Sequence, residues 1–526
     1  MIRNLLSVGG FTLLSRISGF FRDLMLAALL GGGMMNDAFV VAFRLPNLFR
    51  TIFGEGAFSA AFVPSYSRAI ETEGHDEARR FSGRIFTLLL ASQVLLLALA
   101  LAFTPILVDL LAPGFRADPA KFDLTVALTR VTFPYLLFVT LVTLQSGALN
   151  ANGKFAAAAF SPVLLNVTMI VALAAAFLFP NAGYAAAAGV MLAGILQFAQ
   201  IEFAARRAGI ASRPMRPRWD VDTRRFFRAL GPAVIGSAGV QIAMFVDTII
   251  SSRLPTGGPS SIYYADRIYL LPIGVIGIAA GTVLLPEMSR AHAADAPEAA
   301  LRAQNRTMAL TIALAAPFFV AFLTIPDLIT QAAFVRGRYT ISEAQAAAMV
   351  LRAYDVGLLA VVLIASARAS FQSRGDTRTP MIASLIAVAL NVALKFLLYK
   401  PYGAPGLAFA TALGAWINFG ILVALALRAG LMKPNATFRK VLGASVFASI
   451  ALAAVAYLGA APAHAIALRA AHLVAETEFA LLGAMGGCVY VAIFFLAARL
   501  IGLDLSALRG GRKRPKAEGG LPEAGA

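Results

Sequence analysis

The stretch "SRISGFFRD", Ser15–Asp23, places two arginines and one aspartate inside a segment that is otherwise largely apolar from Leu5 to Leu30. Apolar segments of this length are typical of membrane-spanning helices. At about 100° per residue, the polar and small residues share one helical face and the apolar residues occupy the other. Because a charged side chain at the bilayer centre costs at least about 2.5 kcal/mol, this polar face is predicted to point into the protein or into water. It consists of Ser15, Arg16, Ser18, Gly19, Arg22 and Asp23.

The overall composition predicts a polytopic membrane protein. Of 526 residues, 59% are hydrophobic and 14% are charged, and the mean hydropathy is +0.77. The single cysteine, Cys488, excludes an intramolecular disulfide. The first apolar segment is too long for the core of a signal peptide, so we expect a retained first helix.

Apolar windows of about 20 residues recur along the whole chain and predict an all-α integral membrane protein with about 14 transmembrane helices. The windows cover residues 5–30, 36–63, 85–111, 124–149, 157–179, 183–205, 226–252, 262–286, 307–326, 345–370, 379–399, 403–427, 440–461 and 478–502.

The formal net charge of +18 is concentrated in the loops that follow even-numbered windows, above all in the arginine-rich segment 206–228. The positive-inside rule predicts that these loops and both termini are cytoplasmic. The basic residues are therefore interpreted as a topology signal and as contacts to membrane lipids, and not as a nucleic-acid site. Residues 504–526 are predicted to form a disordered cytoplasmic tail.

An internal repeat divides the chain. "FVPSYSR" at 62–68 resembles "LLPEMSR" at 284–290, and "RVTFPYLL" at 130–137 resembles "RAYDVGLL" at 352–359. The repeat predicts an N-lobe over residues 1–210 and a C-lobe over 222–430, each of six helices, followed by helices 13 and 14 over 438–503. Parallel repeats of this kind place a substrate cavity between lobes in transporters, although a duplicated bundle could also be a scaffold.

Further charged residues interrupt helices 2 and 8, and two interpretations of them are open. The cations could all be neutralised in packing salt bridges, or they could converge in a water-filled cleft and bind a phosphate or pyrophosphate. We favour the cleft for two reasons. Adjacent Arg22 and Asp23 are expected to project differently, and Arg50 and Arg267 have no carboxylate at favourable helical spacing on the cavity side. The residues concerned are Arg44, Arg50 and Arg267, with Asp37, Glu55 and Asp266.

A second polar set lies in helices 7, 11 and 12. Asp247 and Lys395 are both flanked by apolar residues, and Asn391 and Thr411 lie in the same lobe. Either Asp247 and Lys395 form an intramembrane ion pair, or Lys395 snorkels to the headgroups and Asp247, with Asn391 and Thr411, binds a proton or sodium ion. We favour the pair.

"SRISGFFRD", "NDAFVVAFRLPNLFR", "EGAFSAAFVP" and "YYADR", in this order, resemble the MurJ (MviN) lipid II flippases of the MOP exporter superfamily. The resemblance implies the bacterial inner membrane, a cationic cavity between two lobes, and a groove at helices 13 and 14 for a polyprenyl tail. It implies lipid II, an undecaprenyl-pyrophosphate carrying the peptidoglycan precursor, as substrate, and the cell-wall synthesis machinery as a potential partner. It carries functional charges onto Arg16, Arg22, Asp23, Asp37, Arg50 and Arg267, with Arg44 less certain.

Other functions compete with this interpretation. A flippase for another polyprenyl-pyrophosphate oligosaccharide, of the O-antigen type, would also need basic side chains to bind a pyrophosphate. A cation or drug exporter is instead expected to have a carboxylate-rich cavity. An enzyme is not expected, because the chain lacks a phosphate-binding loop and a clustered acid–base or metal motif. We therefore expect neither a cofactor nor a metal.

Overall fold

The computed structural model of the chain describes residues 2–54, 57–470 and 473–503. These residues form α-helices, with short 3₁₀ and π turns and no strand among them. The helices are α1 (Ile2–Leu30), α2 (Met34–Gly54), α3 (Ala57–Ala102), α4 (Thr104–Leu111), α5 (Pro119–Thr132), α6 (Tyr135–Ala151), α7 (Ala156–Ala174), α8 (Ala182–Arg207), α9 (Val221–Ser251), α10 (Gly258–Pro272), α11 (Ile278–Ala293), α12 (Pro297–Thr324), α13 (Pro326–Phe334), α14 (Ile341–Asp355), α15 (Leu358–Gln372), α16 (Arg378–Arg428), α17 (Ala436–Leu458), α18 (Ala460–Ala467) and α19 (Val474–Leu500).

The all-α membrane architecture is confirmed. In the described residues, ten helical segments are long and apolar enough to cross a bilayer. Helices α1, α2 and α9 are not among the ten, and their apolar sequences are interrupted by charged residues. Helix α16 covers two predicted windows and bends at Gly403, whose φ is 59°. The number of fourteen membrane crossings stays a prediction.

Several predicted spans are broken helices. The fourth is divided at Phe133–Pro134 between α5 and α6, and the tenth is divided after Asp355 between α14 and α15. A proline removes a backbone donor and disfavours continuation of the preceding helix, which accounts for the first break. Between α10 and α11, residues Ile273–Gly277 form a π-helical turn directly after Pro272. The first two breaks lie in the segments 130–137 and 352–359 that the internal repeat relates.

Two hydrophobic cores organise the helices. Leu26, Phe39 and Tyr135 belong to a core built by α1, α2 and α5–α8. Tyr264, Phe334 and Leu351 belong to a core built by α10 and α12–α16. Helices α17 and α19 pack on α12 outside both cores. We call the two bodies the N-lobe and the C-lobe; their boundaries at residues 210 and 222 stay predictions.

The lobes touch at two opposite ends of the boundary between them. At one end, which we call the Asp37 end, the Asp37 carboxylate of α2 accepts hydrogen bonds from the start of α10. At the other, the Phe226 end, Phe226 of α9 packs edge-on against Phe58, Phe62 and Phe81 of α3. The functional side chains lie between these two contacts.

Candidate functional site

Arg22 of α1 is buried, with 9% of its surface exposed, and binds two partners. Its Nη1 donates to Asn166 Oδ1 at 2.8 Å. Its Nε and Nη2 donate to Asp23 Oδ1 at 3.0 and 2.7 Å. The expectation that Arg22 and Asp23 project apart is therefore wrong, because the long arginine side chain folds back onto its neighbour's carboxylate.

Asp23 connects α1 to α10 across the boundary between the lobes. Its Oδ1 accepts a hydrogen bond from Tyr263 Oη at 2.9 Å. Its Oδ2 lies 3.5 Å from Arg267 Nε, an ion pair without hydrogen-bond geometry. The Arg267 guanidinium also stacks over the Tyr263 ring, 4.5 Å from its centroid. The structure thus brings together two predicted arginines, Arg22 and Arg267, around one carboxylate.

Asn166 of α7 holds the polar face of α1 in place. Its Nδ2 donates to the Ser15 carbonyl at 2.8 Å and to Ser18 Oγ at 3.2 Å. Gly19 permits this approach, since a Cβ atom there would lie 3.3 Å from Asn166 Nδ2. Ser15 thus takes part through its backbone oxygen.

Arg16 lies further along the same face of α1. Its side chain is exposed, and its guanidinium lies against Gly274 in the π-helical turn. A Cβ atom at Gly274 would come within 2.3 Å of Arg16 Nη1, so a larger residue there would displace the Arg16 guanidinium. Arg16 therefore touches the C-lobe independently of the Arg22 cluster.

The cations of α2 lie apart from the Arg22 cluster. Arg50 is half-buried and donates from Nε to Asn47 Oδ1 at 3.0 Å. Arg44 is half-buried beside a small cavity between α2, α4 and α9. Its charge and that of Arg267 both act on Asp266, which is half-buried on α10. Glu55 lies outside the described residues.

Asp37 is completely buried in the first turn of α2 and has its own partners. Lys121 Nζ of α5 pairs with its Oδ2 at 2.6 Å, and the Gly257 amide donates to the same oxygen at 2.8 Å. The Ser260 amide and hydroxyl donate to Oδ1 at 2.9 and 2.5 Å. Asp37 therefore fastens α2 to the start of α10, and it does not join the Arg22 cluster.

The second polar set is brought together only in part. Lys395 Nζ donates to Asp247 Oδ1, and the lysine side chain is buried whereas the aspartate is about one-third exposed. Asn391 packs against Gly414 of the same helix, and the Thr411 hydroxyl donates to the Leu407 carbonyl. Among the described contacts, Asp247 meets the lysine and neither of the other two side chains.

Three residues of this site were missed by the sequence prediction. Asn166 was visible as a polar residue within an apolar window, and Tyr263 belongs to the "YYADR" motif. Lys121 stands just before the fourth window and was not distinguished from a loop residue. Their roles depend on which helices meet, which a single sequence does not contain.

The sequence model of the family described as lipid II flippase MurJ matches residues 26–468 of this chain. The chain belongs to the MurJ family. A relative from Rhizobium meliloti, named probable lipid II flippase MurJ, is 41% identical over 429 residues, which are 81% of this chain and 80% of the relative. A Burkholderia cenocepacia relative, named lipid II flippase MurJ, is 33% identical over 507 residues, covering 92% of this chain and 98% of the relative.

Solved structures show the same fold. A lipid II flippase MurJ in an inward closed conformation matches with a TM-score of 0.77 and 24% identity, over 94% of this chain and 99% of that one. An inward-facing multidrug resistance transporter of the MATE family, from the MOP superfamily, matches with a TM-score of 0.65 and 15% identity, over 80% and 95%. As a MurJ family member with many apolar helices, this chain is a multi-pass protein of the inner membrane.

Proposed function

We propose that this protein moves lipid II from the inner to the outer leaflet of the cytoplasmic membrane by alternating access, as a transporter and not as an enzyme. The observation that carries the proposal is the cluster of Arg22, Asp23 and Arg267 at the boundary between the lobes. Guanidinium groups bind phosphate oxygens through paired donors, and both lobes contribute one to the cluster. A headgroup bound here would hold the lobes together.

The charge of the cluster favours an anionic headgroup. Arg22 and Arg267 share the single carboxylate of Asp23, so the three groups carry one excess positive charge. Each Nη atom of Arg22 makes one protein hydrogen bond, which leaves a second N–H on each for a ligand. The buried Nε of Arg267 faces Asp23, and the Arg267 side chain as a whole is 35% exposed. A pyrophosphate fits these unused donors, whereas a cationic drug does not.

The polyprenyl tail requires an apolar path beside the headgroup site. A groove of about 550 Å³ runs along α1 between Ile17, Phe21 and Ile170, and Ser18 stands at its border with the Arg22 cluster. We propose that the tail passes along this groove while it remains in contact with lipid. The groove at helices 13 and 14 that the family resemblance implies stays a prediction for α17 and α19.

Alternating access requires the two inter-lobe contacts to open in turn. We assign the Asp37 end to the periplasm and the Phe226 end to the cytoplasm, since this places the arginine-rich segment 206–228 and both termini inside. Opening the Asp37 end separates a buried carboxylate from three α10 donors. Headgroup binding to both lobes would offset this loss during the transport cycle.

Depletion of the protein in its host tests the proposal. We expect lipid II to accumulate in the inner leaflet, and we expect the wild-type gene but not Arg22→Ala to restore its export. The readout is the fraction of lipid II accessible from the periplasmic side. Unchanged lipid II distribution together with accumulation of a different polyprenyl-pyrophosphate glycolipid would contradict the proposal and support the O-antigen type of flippase.

A further inference from the structure

Asp355 is a buried acid that the substrate site does not use. It is the last residue of α14 and lies near the middle of the helical span Ile341–Gln372. Its exposed fraction is 0%, and neither of its carboxyl oxygens has a hydrogen-bond partner. An ionised carboxylate without partners in such surroundings costs several kcal/mol, so burial favours the neutral acid.

No basic group compensates Asp355 within the described part of the chain. The ring of Tyr354, the residue before Asp355, stacks on Tyr269 of α10, with ring centroids 5.1 Å apart. The charged groups on the surrounding helices have other partners or other neighbours: Asp266 with Arg267, Arg352 with Asp327, Lys395 with Asp247, Arg306 with Glu287, and Arg368 with Ser384.

The internal repeat shows that the helix break at this position does not need an acid. In the repeat, "RAYDVGLL" is the counterpart of "RVTFPYLL", which aligns Asp355 with Phe133. Phe133 stands at the equivalent break between α5 and α6 and is also buried, at 2% exposure. The N-lobe fills the position with an apolar ring, which is cheaper to bury than a carboxyl group. The helix break therefore does not explain why the C-lobe has a buried acid at this position.

We propose that Asp355 is a proton-binding site of the C-lobe and that its protonation state is coupled to the position of α10. The inference rests on the proposed function, since it gives the transport cycle a coupling ion. A proton suits a lone carboxylate, because hard metal cations take about six oxygen ligands. On release, the O–H bond of the carboxyl group breaks, the electron pair stays on the carboxylate, and the proton passes to water.

Helix α10 links the surroundings of Asp355 to Asp23 and Asp37 of the N-lobe. Tyr269 stacks on Tyr354, the residue before Asp355, and Arg267, two residues before Tyr269, meets Asp23. The start of the same helix donates to Asp37. An ionised Asp355 needs water, and water can reach it only if the junction of α14 and α15 separates from its neighbours. Such a movement shifts α10 and so changes the geometry of the substrate site.

Infrared difference spectroscopy of the purified full-length protein tests the site without substrate. We expect a protonated carboxylic acid band in the wild type that disappears as pH is raised and that is lost in Asp355→Asn. Asp355→Glu retains a titratable acid and should shift the frequency of the band. This variant keeps the test decisive if Asp355→Asn fails to fold. Asp327→Asn, on a half-exposed acid of the neighbouring α13, is the control and should keep the band. A band that survives in Asp355→Asn, or no titrating band in the wild type, overturns the proposal.

Binding of purified lipid II over the same pH range tests the coupling. We expect wild-type affinity to change across the titration of the band and the affinity of Asp355→Asn to lose this pH dependence. Equal pH dependence in both proteins overturns the coupling. If the band behaves as expected but lipid II fails to bind at any pH, the proton site stands and the proposed function fails.

Discussion

Arg22 is held between a carboxylate on its own helix and an amide on α7, so its guanidinium is pre-positioned before any ligand arrives. This is the arrangement expected of a binding residue, because a fixed side chain loses little entropy on binding. Arg267 is less restrained, since its Nε has no hydrogen-bond partner. The two arginines therefore differ in what a substitution removes.

Replacing Arg22 or Arg267 with alanine should reduce lipid II transport to near background while membrane insertion is retained. Loss of charged hydrogen bonds costs about 1.5–3 kcal/mol each, which corresponds to a tenfold or larger loss of affinity. Lysine should rescue poorly, because it lacks the two-pronged donor geometry. Complementation of a depleted strain measures the effect, with exposed Arg80→Ala as the control. Full complementation by both alanine variants would refute the role of this pair.

Asn166→Ala should weaken substrate binding although Asn166 is not itself charged. The substitution removes the partner of Arg22 Nη1 and the bonds to α1, so the guanidinium loses its fixed direction. We expect affinity for lipid II to fall about tenfold, in line with one lost charged hydrogen bond. Gln197→Ala is the matched control, since Gln197 also bonds to α7, at Ser161, without touching Arg22. Equal losses in both variants would assign Asn166 to helix packing alone.

At the scale of elements, α10 is the helix on which the separate contacts meet. Its first residues bind Asp37, its middle carries Tyr263 and Arg267, and its end leads into the π-helical turn against Arg16. π-turns are frequent at functional sites, because they change the direction of a helix locally. A small rotation of α10 therefore alters several inter-lobe contacts together.

Asp37→Asn should open the Asp37 end of the lobes. It leaves Lys121 buried without a counter-ion, which typically costs about 3–5 kcal/mol, and it weakens the acceptor for the α10 amides. Spin labels at the exposed residues Met34 and Thr256, in a Cys488→Ala background, should report a longer distance than in the parent. Lys121→Met is the comparison variant and should open this end less, because the α10 amides still bind Asp37. An unchanged distance distribution in Asp37→Asn would contradict the fastening role.

At the scale of the whole molecule, the lobes are not equivalent despite the repeat. The C-lobe contains the ion pair of Lys395 with Asp247 and the unpaired Asp355. Asp247 stays one-third exposed, whereas the lysine is buried, so the two partners should respond differently to substitution.

Asp247→Leu should destabilise the protein more than Lys395→Met, since it leaves a buried ammonium group unpaired, at a cost of about 3–5 kcal/mol. The double exchange, Asp247→Lys with Lys395→Asp, should recover expression and transport that each single exchange loses. Detergent-solubilised thermal stability and complementation measure the two effects. If the double exchange is as defective as the single ones while Lys395→Ala is harmless, the ion pair between Lys395 and Asp247 is not required. That result would support a cation-binding site at Asp247.

The orientation of the molecule is open to cysteine labelling in the Cys488→Ala background. Positions at Gly33 and Pro255, near the Asp37 end, should react with a membrane-impermeant reagent from the periplasm. A position at Arg213 should react only after the membrane is permeabilised. Labelling at Arg213 in intact cells would reverse the proposed topology and with it the direction assigned to each inter-lobe contact.

The sequence by itself determined the membrane class and the helical architecture, and it predicted Arg22, Asp23 and Arg267 among the functional charges. It could do so because lipid excludes unpaired charges, so each charge inside an apolar window marks a buried polar contact. Only the tertiary structure decided the partners. Asp23 meets Tyr263 and Asp37 meets Lys121 because distant helices pack side by side, and helical spacing within one segment contains no information about that packing.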